Sequence, residues 1–178
     1  VILVGDRRLY YLLSAFDPDF AELFKVQVDF ADQMDRNSKT DKLFARLIGT
    51  LARKEELKHF DRGAVARIIE HCSRISGDAE KLSTQMAQLL DILRESDYWA
   101  GVNKHKVVRT NDVAQAVESQ IHRADRIRQR IQEEIQRGTI LIDTQGEEVG
   151  QINGLAVIQL GGFSFGRPNR ITAKVRLG

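Results

Sequence analysis

The stretch TNDVAQAVESQIHRADRIRQRIQEEIQRG, residues 110–138, decides the fold of this chain because it joins a helical region to a β region. Its apolar residues recur at helical spacing, with Thr110 as the predicted N-cap and Gly138 as the predicted end. The apolar stripe of this helix is Val113, Ala116, Val117, Ile121, Ala124, Ile127, Ile131 and Ile135. Because the helix outruns those before it, we expect its second half, past Ile121, to project as a connector.

Three shorter amphipathic patterns precede the long helix. The first begins with a cap at Ser38 or Thr40, the second begins near Asp61, and the third runs from Asp78 to Ala100. The short loops between them predict a four-helix unit whose neighbours pack antiparallel or crossed. Their predicted apolar stripes are Leu43, Phe44, Leu47, Ile48 and Leu51; Val65, Ile68, Ile69, Cys72 and Ile75; and Leu82, Met86, Leu89, Leu90 and Leu93.

The N-terminal end of the chain has a different pattern. VILVG (1–5) and KVQVDF (25–30) predict short strands, and the helical segment between them stops at Asp17-Pro18. Asp6 follows the first of these strands, where doubly wound sheets bind nucleotides. It is a candidate phosphate sensor, or else a cap for the next helix. The segment ADQMDRNSKT (31–40) is polar and predicts a linker.

The C-terminal end predicts a small β module. TILIDT, VGQINGLAVIQLG and RITAKVRLG read as three strands, separated by turns at Gln145-Gly146 and Gly161-Gly162. The last strand runs to the C-terminus, so we expect it to lack a partner within the chain. The opening on an apolar strand without Met and this ending both lead us to expect a piece of a longer protein.

The composition excludes several classes of protein. Among 178 residues, 27 basic side chains nearly balance 25 acidic ones, so no global field attracts nucleic acid or a membrane surface. No apolar run approaches the ~20 residues of a membrane span. The single cysteine, Cys72, forbids an internal disulfide and fits a reducing compartment, so we expect a cytoplasmic location.

Sequence signatures of catalysis are missing from the chain. No Gly-x-x-x-x-Gly-Lys-[Ser/Thr] loop is present, and GGFSFG matches neither a phosphate loop nor a nucleophile elbow. The four histidines do not follow a metal-binding spacing. The sequence therefore predicts no catalytic residue and no metal ligand.

The long helix is rich in arginine but also carries acidic residues. The bland interpretation is a solvated helix with ion pairs between successive turns. The alternative is a non-enzymatic helical adaptor that binds a protein partner or nucleic acid through this basic helix. The arginines are Arg123, Arg126, Arg128, Arg130 and Arg137, interspersed with Asp125, Glu133 and Glu134.

Three stretches of the chain resemble Lon-type ATP-dependent proteases, in the order in which that family carries them. GTILIDTQGEEVGQINGLAVIQLGGFSFGRPNRITAKVRLG resembles the opening of their proteolytic domain, above all in GQINGLAV and SFGRPNRITAKV. SRISGDAEKLSTQMAQLLDILRESDYWA resembles their helical lid. VILVGDRRLYYLLSAFDPDFAELFKVQVDF resembles the end of their AAA+ core. The similarity is to the Lon-like branch related to protease La.

The resemblance implies a fold that is mainly α with β. An AAA+ helical lid, a four-helix unit with a long last helix, is flanked by a short α/β remnant and a small β segment. The implied domains are the C-terminal part of the AAA+ core (1–30), the lid with its connecting helix (31–137), and the first strands of the protease domain (138–178).

The resemblance also implies an activity for the full-length protein. ATP with Mg²⁺ is hydrolysed in a ring, usually of six subunits, that draws unfolded proteins to a peptidase with a Ser–Lys dyad. The Walker motifs and the dyad are absent from this chain, so it is expected to bind no ATP or Mg²⁺ by itself. Its expected role is to couple the lid to the protease domain, and Ile127→Pro is expected to break that coupling.

Two residues are nucleotide-sensing candidates by this resemblance. Asp6 stands where the family usually has a sensor-1 Asn, and Lys81 is the cation nearest the position of a sensor-2 Arg. Both depart from the family pattern, and Lys is not equivalent to Arg in binding phosphate.

Overall fold

The computed structural model describes residues 1–160 and 163–176 of the chain. Over these residues the chain is mainly helical with short antiparallel strand pairs, which confirms the predicted fold class. In chain order the elements are α1 (Arg7–Phe16), α2 (Phe20–Leu23), β1 (Gln33–Asp35), α3 (Ser38–Lys54), α4 (Arg62–Ser76), β2 (Lys81–Ser83), α5 (Met86–Val102), α6 (Thr110–Ala124), α7 (Arg126–Gln136), β3 (Gln151–Leu160) and β4 (Phe163–Thr172).

Helices α3 to α6 pack around one hydrophobic core, as the four-helix prediction requires. α5 and α4 both pack on α6, and α3 contacts α4 and α5. Most residues of the predicted stripes in these helices are buried or half-buried, whereas the exposed ones are Leu43, Ile75, Met86, Ile121 and Ala124. The buried apolar residues of this core are Phe44, Ile48, Ala64, Ile68, Ile69, Cys72, Leu82, Leu89, Ile92, Leu93, Ala100, Val108, Val113, Ala116 and Val117.

The N-cap of α3 lies one residue before the predicted Ser38 and three before the alternative Thr40. Asn37, rather than Ser38 or Thr40, is the N-cap, and its side-chain oxygen accepts hydrogen bonds from the N–H groups of Lys39 and Thr40. The Thr40 hydroxyl in turn accepts from the Asn37 N–H at 2.8 Å. This reciprocal pair satisfies backbone groups that the first turn leaves unpaired.

The predicted third helix begins later than Asp78. Residues 81–83 form β2, which pairs antiparallel with β1, and the helix starts only at Met86. Leu82 is fully buried as expected, but from a strand, where it lies opposite Met34. The segment 31–40 is therefore more than a linker, because it supplies the partner strand.

The two strands predicted near the N-terminus are wrong. Residues 1–5 and 25–30 have no regular secondary structure, and Val1, Val26 and Val28 are exposed. A strand requires a neighbouring strand to complete its hydrogen bonds, and the part of the chain that the structure describes provides none for either segment. The helix between them, α1, does stop at Asp17-Pro18.

The C-terminal module is an antiparallel hairpin of two ten-residue strands. β3 pairs with β4 from Gln151↔Thr172 to Leu160↔Phe163. The expectation of an unpaired last strand is wrong, because residues 170–172 belong to β4 and pair with β3, and residues 139–144 are not a strand. The predicted turn at Gly161-Gly162 lies outside the described residues.

The long helix is divided into α6 and α7 at Asp125. α6 carries core residues, whereas α7 has no buried residue among its 11. α7 contacts β4 of the hairpin. The predicted projection of the second half is therefore confirmed, and α7 is called the arm below.

Candidate functional site

Asp6 caps α1. Its carboxylate accepts a hydrogen bond from the Arg8 backbone N–H at 2.8 Å, which satisfies one of the unpaired donors of the first turn. From the same turn Arg7 reaches Asp29, with 3.0 Å between the guanidinium nitrogen and the carboxylate. Asp6 therefore has the capping role that the sequence left open, and its sensing role stays a prediction.

Lys81 lies on β2 and forms an ion pair with β1. Its Nζ is 2.6 Å from the Asp35 carboxylate, and the two residues are also backbone partners. The hydrogen bond to Asp35, with its negative charge, raises the pKa of Lys81, and the same contact lowers the pKa of Asp35. Both side chains remain partly exposed, so the pair is accessible to a ligand. Asp35 was not identified from the sequence.

The segment 29–32 binds residues that lie close in sequence to Asp6 and to Lys81. Arg7, next to Asp6, binds the Asp29 carboxylate and the Phe30 carbonyl. Thr84, three residues after Lys81, donates its hydroxyl to the Ala31 carbonyl at 2.7 Å. Asp6 and Lys81 themselves share no hydrogen bond or ion pair in the described chain. The structure thus links their neighbours through one segment without bringing the two side chains together.

A buried carboxylate organises the loop before α6. Asp112 has no exposed surface, and it accepts from the Asn103 side chain at 2.7 Å and from the Arg109 N–H at 2.9 Å. His105 Nδ1 lies 2.9 Å from the same carboxylate. The prediction that Thr110 is the N-cap is therefore wrong: Arg109 is the N-cap, Thr110 is the first helical residue, and Asp112 binds the N-cap N–H from the third helical position. An acidic residue three positions after the N-cap is the signal that could have identified this role of Asp112.

Burial of Asp112 on its own would raise the pKa of the carboxyl group. The hydrogen bonds from Asn103, Arg109 and His105 outweigh burial, so the pKa is lowered. The carboxylate is therefore ionised at neutral pH and fixes the direction in which α6 starts.

Three of the five arginines in the long helical stretch form ion pairs with described residues. Arg123 binds both carboxylate oxygens of Glu95 on α5, at 2.8 and 2.7 Å. Arg137 binds Glu133 one turn earlier, and Arg128 binds Asp125. These pairs agree with the interpretation of a solvated, ion-paired helix. The pair between Arg123 and Glu95 also fastens the last turn of α6 to α5.

The described residues also bear on metal binding, on a nucleophilic cysteine and on membrane-spanning helices. Within residues 1–160 and 163–176, no three His, Cys, Asp or Glu side chains are placed to hold a metal ion. Cys72 is buried, and burial raises the pKa of its thiol to about 11, so it is not a nucleophile at neutral pH. Over the same residues, no helix has both the length and the apolar character needed to cross a bilayer.

Two known domain families match the chain. Residues 59–123, from just before α4 to the end of α6, match the family described as Archaeal LonB, AAA+ ATPase LID domain. Residues 1–31 match the family described as LonB-like, AAA domain. The matches follow the order of core and lid that the sequence predicted.

Whole proteins are also similar in sequence. The chain is 29% identical over 182 residues to a putative Lon protease homolog of Escherichia coli (strain K12), covering 100% of this chain and 30% of that protein. It is 30% identical over 142 residues to the Archaeal Lon protease of Thermoplasma volcanium, covering 76% of this chain and 21% of that protein. It thus spans less than a third of the length of these relatives. This chain belongs to the family of Lon-type AAA+ proteases.

Proposed function

We propose that this chain is the coupling segment of a Lon-like ATP-dependent serine protease that degrades unfolded proteins. It transmits the movement of the lid to the protease domain and is not itself catalytic. The observation that carries this proposal is a continuous physical connection from the lid core, through α6 and the arm, to the hairpin β3–β4. Each step of the connection is a covalent or packed contact.

The first part of the connection is the rigid lid. α6 is embedded in the four-helix core, with Val113 and Ala116 fully buried. The Asp112 carboxylate fixes its beginning, and the Arg123–Glu95 ion pair fastens its last turn to α5. A packed core moves as one body, so displacement of the lid carries the whole of α6 with it.

The second part is the arm and the hairpin. The arm follows α6 directly and contacts β4, so its far end is attached to the β module by both sequence and packing. On β4, Phe165 is buried, and its ring stacks on that of Phe163 with 5.7 Å between the centroids. The proposal divides the chain into core end (1–30), lid with arm (31–137) and first protease strands (138–178).

The third part is nucleotide sensing. We assign ATP with Mg²⁺ to the full-length protein, and Asp6 and Lys81 to sensing. The accessible Lys81–Asp35 pair supports the assignment, because a phosphate group is able to replace the Asp35 carboxylate as the partner of Lys81. In the full-length protein Lys81→Ala is expected to weaken nucleotide affinity several-fold, measured by titration with a fluorescent ATP analogue. Unchanged affinity would remove Lys81 from the proposal.

The fourth part is the catalytic machinery, which the proposal places outside this chain. Ring assembly and a Ser–Lys dyad belong to the full-length protein, and the lysine of such a dyad acts as the base for the serine. The adaptor alternative has less support, because the ion pairs of Arg123, Arg128 and Arg137 reduce the charge available to a polyanion.

The whole protein provides the test. We expect Walker motifs before residue 1 and a Ser–Lys dyad after residue 178 in the coding sequence. The purified protein is expected to degrade an unfolded substrate such as casein only when ATP is hydrolysed. If neither motif is present and degradation does not depend on ATP, the proposal is wrong.

A further inference from the structure

The stretch that joins the lid to the arm is interrupted at one residue. Asp125 is both the C-cap of α6 and the N-cap of α7, with φ −83° and ψ −4°. An ideal helix has ψ near −42°. In the described chain the Asp125 N–H makes no capping hydrogen bond to an α6 carbonyl, although its own carbonyl accepts from Gln129 N–H at 3.0 Å. The helical hydrogen-bond ladder is therefore broken on the α6 side.

Asp125 is unusually buried for an acidic residue in the middle of a helical stretch. Only 4% of its surface is exposed. Its two carboxylate oxygens are bound by the Nε and Nη2 atoms of Arg128, and Gln129 Nε2 adds a third contact at 3.3 Å. Hydrogen bonding to Arg128 lowers the pKa of Asp125 against the opposing effect of burial. Within the described residues, each hydrogen bond to the carboxylate comes from the arm.

An ordinary ion pair on a helix surface has different properties. Arg137 and Glu133, on the same arm, are one turn apart with 71% and 57% of their side chains exposed. Such exposed pairs contribute little to stability and leave the helix uninterrupted. The Asp125 side chain is 6% exposed and coincides with the interruption. The contact of Asp125 with Arg128 therefore differs from an ordinary surface ion pair in its burial and in its place at the interruption.

Asp125 lies at the boundary between the part of the chain that is attached to the core and the arm. Two residues earlier, Arg123 fastens α6 to Glu95 of α5. After Asp125, the arm has no buried residue. The interruption thus lies where the chain passes from a part held by the core to a part that is not.

We propose that Asp125 and Arg128 form the joint of the arm. The helix is interrupted at the backbone of Asp125, and the two-point contact of its carboxylate with Arg128 sets the direction in which the arm leaves the lid. The proposed joint rests on the proposed coupling role and specifies which contact directs the arm. The geometry of the joint, however, is a property of this chain and is measurable without any protease activity.

The length of the arm makes a change of angle measurable. At 1.5 Å per residue, α7 with 11 residues is about 16 Å long. A reorientation of ~20°, the size of a sharp helix kink, would move its far end by about 5–6 Å. A label near the end of the arm therefore reports on the joint.

The experiment measures a distance between the core and the arm. Spin labels are attached at Lys42→Cys on α3 and Gln136→Cys near the end of the arm, both of which are exposed. Cys72 is 2% exposed and does not compete for the label. Distance distributions are recorded by pulsed electron spin resonance for the chain with Arg128→Ala, with Asp125→Asn, and with the matched control Arg137→Ala. Arg128 is half exposed, so its removal leaves the core intact, which circular dichroism verifies.

We expect one narrow distance for the parent chain and for Arg137→Ala. Arg128→Ala and Asp125→Asn are each expected to broaden the distribution or shift it by about 5 Å. If both variants reproduce the parent distribution, the joint is refuted whatever the protease assay shows. If the distribution changes but the full-length protein lacks ATP-dependent proteolysis, the joint stands and the coupling role falls.

Discussion

Replacing Asp112 by alanine is expected to destabilise the chain by about 2–3 kcal/mol, most of it from one backbone donor. The Asp112 carboxylate is fully buried and accepts from the Arg109 N–H at the start of α6. This one bond both caps the helix and has a charged acceptor, and hydrogen bonds to charged groups contribute about 1.5–3 kcal/mol. Asn103 is exposed and His105 is partly exposed, so water replaces their bonds. The expected loss therefore does not exceed about 3 kcal/mol.

Trp99 is well placed to report this loss. It is the single tryptophan of the chain and packs against the lid core from α5. Urea unfolding followed by its fluorescence, with a slope of about 1–3 kcal/mol per molar urea, should show a midpoint lower by about 1 M or more. The matched control is Asp91→Ala, an exposed acid on α5, which should stay within about 0.5 kcal/mol of the parent. If Asp112→Ala also stays within that limit, the carboxylate does not hold the loop.

Two further predictions concern acid pH and the core. Because the pKa of Asp112 is lowered in the folded chain, its stabilising effect is present above its ordinary value of about 3.9 and is lost as pH falls through the lower folded value. The free energy of unfolding of Asp112→Ala should therefore fall less steeply between about pH 5 and pH 2 than that of the parent chain. An equally steep fall in both chains would contradict this prediction. Leu93→Ala, at a position with no exposed surface on α5, should cost about 2–5 kcal/mol in the same assay, and Leu43→Ala, on the exposed face of α3, much less.

The helices of the lid were predictable because their apolar spacing records which face is buried. Ile48, Ile68, Leu93 and Val113 lie on predicted stripes and are fully buried. The same signal could not separate strand from helix at Leu82, where a three-residue run is too short to show a period. The burial of Leu82 was predicted correctly, but its secondary structure was not.

Features that depend on a partner elsewhere in the chain were not predictable. Residues 1–5 have the composition of a buried strand, but strand formation requires a neighbour that no described residue supplies. The roles of Asp112 and Asp125 likewise depend on donors brought to each carboxylate by folding. Lys81 was identified from a resemblance, whereas its partner Asp35 became visible only when β1 and β2 paired.

The structure also changes the choice of substitution that breaks the arm. Ile127 lies in the first turn of α7, directly after the interruption at Asp125, where backbone N–H groups have no partner within the helix. Proline there should disturb the arm less than the sequence suggested. Ile131 lies in the middle of α7, so proline there removes a helical hydrogen bond and clashes with the carbonyl of Ile127, at a cost of about 3 kcal/mol.

The most direct test of the coupling role compares Ile131→Pro with Ile131→Ala in the full-length protein. The alanine variant loses the same side chain but keeps the helix. We expect Ile131→Pro to lower ATP-dependent degradation of an unfolded protein by about tenfold or more relative to Ile131→Ala, a loss of about 1.4 kcal/mol in coupling. Cleavage of a small peptide should be largely retained. Equal degradation by the two variants would contradict transmission through the arm.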